Sequence, residues 1–223
     1  FNLTDASNYR ERLKALKGIT IGATSVGGGS DQLVRLLAED AGLNAERDMT
    51  VTVLAVGDAT LAAFARRRVD AIAHSSPVAV KAIRDHGGVM LFHLSAGGVP
   101  AYDGLLYLAY AARQAWLDKN PAAALKTLRA LDRAHRAIRD VEQRDAIRGA
   151  VRAKFHTSID APLYADSWAD YVNAFPSAID INQAMIDRVV ALSEKLESGD
   201  PIKPQSIRSA WTNRYVEAAR QAN

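Results

Sequence analysis

The sequence predicts an α/β fold: a lobe with a mostly parallel sheet and flanking helices, followed by a helical C-terminal region. Two observations predict it. Between residues 18 and 94, short apolar runs rich in β-branched residues alternate with amphipathic helical patterns, the signature of parallel strands joined by crossover helices. From about residue 113 onward the period is helical almost throughout, and Pro121, Pro162, Pro201 and Pro204 punctuate it. The chain has 223 residues and is 48% hydrophobic, enough to bury a core without staples.

The elements follow in order. Asn8 to Lys17 can form a short amphipathic helix that ends at Gly18, a helix-stop residue. Ile19 to Thr24 reads as a buried strand, and Ser25 to Gly29 as a glycine loop. Ser30 can cap a helix to about Ala41, with Leu33, Val34, Leu36 and Leu37 on the core side and Gly42 as its stop. Met49 to Val56 is a second strand. Asp58 can cap a helix to about Arg67, and Val69 to His74 is a third strand. Ser76 and Pro77 have the chemistry of a helix start, opening a helix to about Arg84. Val89 to Leu94 and Leu105 to Tyr110 read as a fourth and a fifth strand. Helical patterns then cover about 113–119, 121–139, 141–154, 162–172, 183–197 and 206–220, with Ala178 to Ile181 extended between them.

Composition excludes several functions. Cysteine is absent, so disulfides, iron–sulfur clusters, zinc ribbons and a cysteine nucleophile are ruled out. No apolar run is long enough to span a bilayer. His74, His86, His93, His135 and His156 show no metal-ligand spacing, and no G-x-S-x-G elbow is present; the expectation is no catalytic residue, no metal and no cofactor. The chain opens on Phe1 without a signal peptide, which reads as processing or trimming.

The formal net charge is +3, yet residues 113–154 carry 11 Lys+Arg against 5 Asp+Glu. Arg129, Arg133 and Arg136 follow helical spacing, with Arg144, Arg148 and Arg152 behind them. This reads as a solvated helix face. No aromatic residues interleave with the arginines, so no nucleic-acid partner is expected. His135, lying among them, is expected to be exposed; Trp116, Trp168 and Trp211 are expected to pack.

The glycine loop is the strongest local signal. Gly27, Gly28 and Gly29 allow close approach of a ligand to backbone, and Ser30 and Asp31 open a helix whose first N–H groups lack partners. A strand, a glycine loop and a helix N-terminus in succession can hold an anion, with Ser25 and Ser30 adding hydroxyls. The same residues can instead serve a tight turn with close helix–strand packing. The loop is neither a P-loop, since Gly-Lys-Ser/Thr is missing, nor a dinucleotide fingerprint, since Gln32 stands at the third glycine position. The Asp31 carboxylate suits the helix N-terminus and could compete with an anion or accept a hydrogen bond from a ligand. In open α/β sheets, ligands lie outside the carboxyl ends of the strands. Those ends here are Ser25 to Gly29, Gly57–Asp58, and His74 to Ser76, so Asp58, His74, Ser75 and Ser76 join the candidate site, although each also has a plain role as a cap or strand-end residue.

The stretches LKGITIGATSVGGGSDQLVRLLAEDAGL (16–43) and GDATLAAFARRRVDAIAHSSP (57–77) resemble the type II periplasmic solute-binding proteins of the nitrate/taurine/sulfonate and thiamine-precursor group. WLDKNPAAALKTLRALDRAHRAIRD (116–140) is similar to that group's segment after the second lobe. The resemblance implies a periplasmic-binding-protein type II lobe in a non-catalytic, solute-capturing component of an ABC importer. Two lobes would close on a small acidic, sulfonate or nitrogen-containing molecule and deliver it to a permease. It implies that Ser25 to Asp31 contact the acidic group and that Asp58, His74 and Ser75 line the same cleft. Ser76 departs from the acidic residue many relatives place before the proline. By this likeness residues 1–17 are an N-terminal segment of a truncated first lobe, 18–98 the second lobe, and 99–223 a return strand with the helical C-terminal region. Most of a first lobe is then absent, and self-association is expected to cover the surface it would have buried. Two other readings use the same scaffold: an enzyme of pyrimidine or menaquinone pathways, and an effector-sensing domain of a regulator.

Overall fold

A computed structural model describes residues 8–54, 57–195, 207 and 210–221. The chain divides into two compact units, one formed by Phe1–Pro100 with Ile159–Tyr171, the other by Ala101–Ser158 with Val172–Asn223.

The first unit is α/β. Helix α1 (Tyr9–Lys14) starts with a reciprocal cap: Glu11 N–H donates to the Asn8 side chain, and Asn8 N–H donates to the Glu11 carboxylate at 2.8 Å. Strand β1 (Thr20–Ala23) is central and buried, with β2 (Thr50–Val53) on one side and β3 (Ala71–Ile72) on the other, both parallel to it. Crossover helices α2 (Gly29–Asp40) and α3 (Gly57–Ala65) join them, and α4 (Val78–His86) follows β3. Gly22 has no side chain because Leu54 packs over it; a Cβ there would lie 2.8 Å from Leu54 Cδ1. Ile21, Ala23, Val34, Leu36, Leu37, Met49 and Val69 fill the core. Leu33, expected among them, is half-buried.

Helix α8 (Ala161–Tyr171) returns to this unit from far along the chain and packs on α4. Its Leu163 and Tyr164 are buried, and Arg84 pairs with Asp160 at 3.4 Å.

Val89 to Leu94 does not form the expected strand. α1 takes up its backbone instead: the Arg12 guanidinium donates to the carbonyls of Met90 and Leu91, and the Tyr9 ring meets Phe92 edge-on. Side-chain donors thus replace a strand neighbour.

The second unit is helical: α5 (Gln114–Lys119), α6 (Pro121–Arg139), α7 (Arg144–Phe155), α9 (Gln183–Lys195) and α10 (Arg214–Gln221). Pro121 opens α6, where its missing N–H costs nothing. Leu105 to Tyr110 is no strand either. No strand lies beside it among the described residues, and the successive Tyr107 and Leu108 are both exposed, which breaks the alternation a half-buried strand needs. Ala178 to Ile181 also lacks a ladder; the Asn213 side chain pairs with both backbone groups of Ile181, at 3.0 and 2.7 Å.

His135 is buried, against expectation. Its Nδ1 donates to the Pro176 carbonyl at 3.3 Å, its Nε2 accepts from the Tyr110 hydroxyl at 2.9 Å, and Phe175 meets the ring edge-on. It belongs to the inner stripe of α6 with Ala124, Leu128, Leu131 and Asp132, not to the arginine face. Trp116 is 44% exposed and so does not pack as expected, whereas Trp168 lies half-buried beside Tyr164. Ala55 and Val56 of the second predicted strand, residues 196–197, and residues 206, 208 and 209 lie outside the described residues; residues 210–213 of the last predicted helix precede α10 and are not helical.

Candidate functional site

Because β1, β2 and β3 are parallel, their carboxyl ends lie on one edge of the sheet. Ala23 is level with Val53, and Gly22 with Ile72. The three loops leaving that edge carry the sequence candidates.

The first loop is held from inside. Thr24 N–H donates to Ser30 Oγ at 3.0 Å, and the two hydroxyls lie 2.8 Å apart. Gly27, at φ +68°, turns its N–H onto the Asp31 carboxylate at 2.8 Å. Arg35 donates to the same carboxylate at 3.2 Å, so its charge has a partner one helical turn away. The loop therefore closes on its own helix from both sides.

α2 begins at Gly29, with Gly28 in the cap position and no side chain capping it. Ser30 is not the expected cap. The helix starts earlier, and the Ser30 hydroxyl reaches back to Thr24. The N–H groups of Gly29, Ser30 and Asp31 carry no partner among the described residues. They form a small positive crown at the end of the helix dipole. Over it stands Ser25, exposed, whose Oγ would lie 2.0 Å from a Cβ on Gly28.

The second and third loops meet each other. Gly57 lies in the first turn of α3, and the His74 ring approaches it, 3.6 Å from where a Cβ would be. Asp58 also lies in that turn rather than capping it, and is exposed. His74 Nδ1 is 3.0 Å from the Ser75 carbonyl, which as an acceptor takes the ring N–H. Ser75 is exposed. The Ser76 hydroxyl donates to the Asp170 carboxylate on α8, and Pro77 takes the cap position of α4. Asp170 is a node: His93 Nε2 lies 3.0 Å from its carboxylate, and Ser95 Oγ donates to its backbone carbonyl at 2.9 Å.

The structure thus brings Ser25, Gly27, Gly28, Gly29, Ser30 and Asp31 together in one loop, and Asp58, His74, Ser75 and Ser76 in two others at the same sheet edge. It adds three residues that sequence reasoning missed. Thr24 had a usable signal, a hydroxyl residue at the strand end just before the glycine run. Thr60, fully buried with Oγ1 donating to the Leu54 carbonyl, ties the first turns of α3 to the residue that follows β2. Asp170 lies 94 residues from its serine and gives no local signal.

The arrangement can accept the oxygens of a small anion on backbone N–H and hydroxyl donors. Among the described residues no three His, Asp or Glu side chains gather as a metal site, and no helix is long and apolar enough to cross a membrane.

No match is found among curated proteins. A solved structure from Bordetella bronchiseptica RB50 shares the fold, with a TM-score of 0.69, 21% identity and 94% of this chain covered; this chain spans 66% of that one. The family model described as the NMT1-like family matches residues 2–151, which include the whole glycine loop and all three strand ends, and the chain belongs to that family.

Proposed function

We propose that this protein is the solute-capturing component of an ABC importer, working in the periplasm, and that it binds a small acidic, sulfonate or nitrogen-containing molecule without chemical change. Family membership supports a solute-binding role in general. The observation that carries the specific reading is the loop of residues 24–31: three unpartnered N–H groups, with the Ser25 hydroxyl beside Gly28, at the carboxyl edge of a parallel sheet.

In this reading Gly29, Ser30 and Asp31 present backbone donors, Gly27 and Gly28 leave room for the solute to approach them, and Ser25 and Ser30 present hydroxyls. Asp31 holds the loop in its binding shape through Gly27. Asp58, His74 and Ser75 border the solute from the neighbouring loops, and Ser76 anchors the third loop to α8. Hinged closure of a cleft over this edge would trap the solute, and a permease would receive it.

A thermal-shift panel of small sulfonates, nitrate, and mono- and dicarboxylates tests the proposal. A ligand present at 100 times its Kd adds about 2.7 kcal/mol of stability, a readily visible shift. A shift in the native chain that disappears in Gly28→Ala supports the proposal. A panel without any shift, or a shift that Gly28→Ala leaves intact, overturns it.

A further inference from the structure

The helical unit carries a concentration of arginines around a concavity, in a different unit from the glycine loop. A groove of about 640 Å³ runs between α6 and α10, within the size range of small-molecule sites. Arg129, Arg133 and Arg136 stand along its α6 side at helical spacing, and Arg220 of α10 forms the other wall.

The four arginines are not equivalent. Arg220 is fixed as scaffold: it bonds the buried Asp132 at 2.7 Å and grips Asp180 with both terminal nitrogens, at 2.9 and 2.7 Å. Arg136 also donates to Asp132, while over half of its side chain stays exposed. Two aspartates therefore offset Arg136 and Arg220. Arg129 donates to the Ala219 carbonyl at 3.2 Å, and neither it nor Arg133 has a carboxylate partner among the described residues. Asp140, at the far end, spends its carboxylate on Glu142 N–H and the Gln143 amide. It repels an anion there and so favours the Arg129–Arg133 end.

The groove lining carries four positive and two negative side chains, a net excess facing a pre-formed concavity. Arg129 and Arg133 are one turn apart on one face, with Cβ atoms about 6 Å apart, a spacing that suits two oxyanion groups of one small molecule. A planar fork of donors favours carboxylate and phosphate over halide. We propose that this groove binds a compact multivalent oxyanion, a phosphate or carboxylate compound, with Arg129 and Arg133 as the principal contacts and Arg136 as a third.

Calorimetric titration of the whole chain at physiological ionic strength tests this, with inorganic pyrophosphate in one arm and citrate in the other to separate the phosphate and carboxylate forms. The expected result is saturable one-site binding in at least one arm, weakened about tenfold or more by Arg133→Glu. Lys119→Glu makes the same charge change on α5, outside the groove, and is expected to weaken binding less than twofold by the same relation. Gly28→Ala, in the first unit, is expected to leave it unchanged, which keeps this result separate from the solute site. Absence of saturable binding in both arms, or equal weakening by Arg133→Glu and Lys119→Glu, overturns the proposal; the latter would mean diffuse surface attraction only.

Discussion

The two units present charge in opposite ways. In the α/β unit the polar work is done by backbone: unpartnered N–H groups at α2, steadied by short hydroxyl residues. Such donors are fixed by the fold and carry no titratable proton. In the helical unit positive charge is carried by long side chains, of which Arg136 and Arg220 are set in place by Asp132 and Asp180. The cores differ to match. β1 and α2 bury Ile21, Val34, Leu36 and Leu37, whereas among the described residues of the helical unit the buried apolar side chains are Ala124, Ile186, Val190, Val216 and Ala219. One unit is organised by apolar packing, the other by a buried carboxylate that gathers cations.

The largest test of that contrast is Leu36→Ala. Leu36 is fully buried, and its loss should cost about 3 kcal/mol in urea unfolding. A cost near zero would mean that packing does not organise the first unit. Asp132→Ala is the counterpart and should cost about 2 kcal/mol, since two arginines lose a charged acceptor. This test has a pH dimension. The hydrogen bond from Arg220, with Arg136 adding to it against the cost of desolvation, holds the Asp132 carboxyl below its usual value. The folded state therefore gains from ionised Asp132 at neutral pH and loses that gain as acid protonates it, below about pH 4. Acid titration of stability should show a shallower fall in Asp132→Ala; an unchanged acid limb would remove Asp132 from its organising role.

Smaller effects sharpen the other side. Ser30→Ala removes the clasp to Thr24 and should cost about 1 kcal/mol, with weaker solute binding. Gly28→Ala should barely change stability, because Gly28 has extended backbone and the crowding Ser25 side chain is exposed and can rotate. It should still impair binding, since the added methyl stands where the ligand approaches. Equal losses of stability and binding in Gly28→Ala would make the loop structural rather than functional.

The alternation of strand and helix over residues 18–86 was legible because its signals are local: β-branched runs, amphipathic helical patterns, and Gly18 and Gly42 as stops. The glycine loop was legible for the same reason. Val89 to Leu94 and Leu105 to Tyr110 misled because strand character needs a neighbour, and neighbours are not local. His135 misled because charge was weighed above spacing, although Ala124, Leu128, Leu131 and His135 repeat at helical intervals. The Asp132–Arg220 and Ser76–Asp170 contacts span 88 and 94 residues, beyond any pattern along the chain.

The position of α8 also bears on how the protein is made. The α/β unit draws its last piece, residues 159–171, from beyond a stretch of the helical unit. During synthesis the first hundred residues emerge without Leu163, Tyr164 or Asp170. At typical translation rates these follow only after roughly 3–14 s. For that interval the nascent sheet and its helices must persist with the α8 face of α4 uncovered and the Ser76 and His93 side chains awaiting their partner. The ribosome thus holds this unit short of its last helix while it builds part of the other.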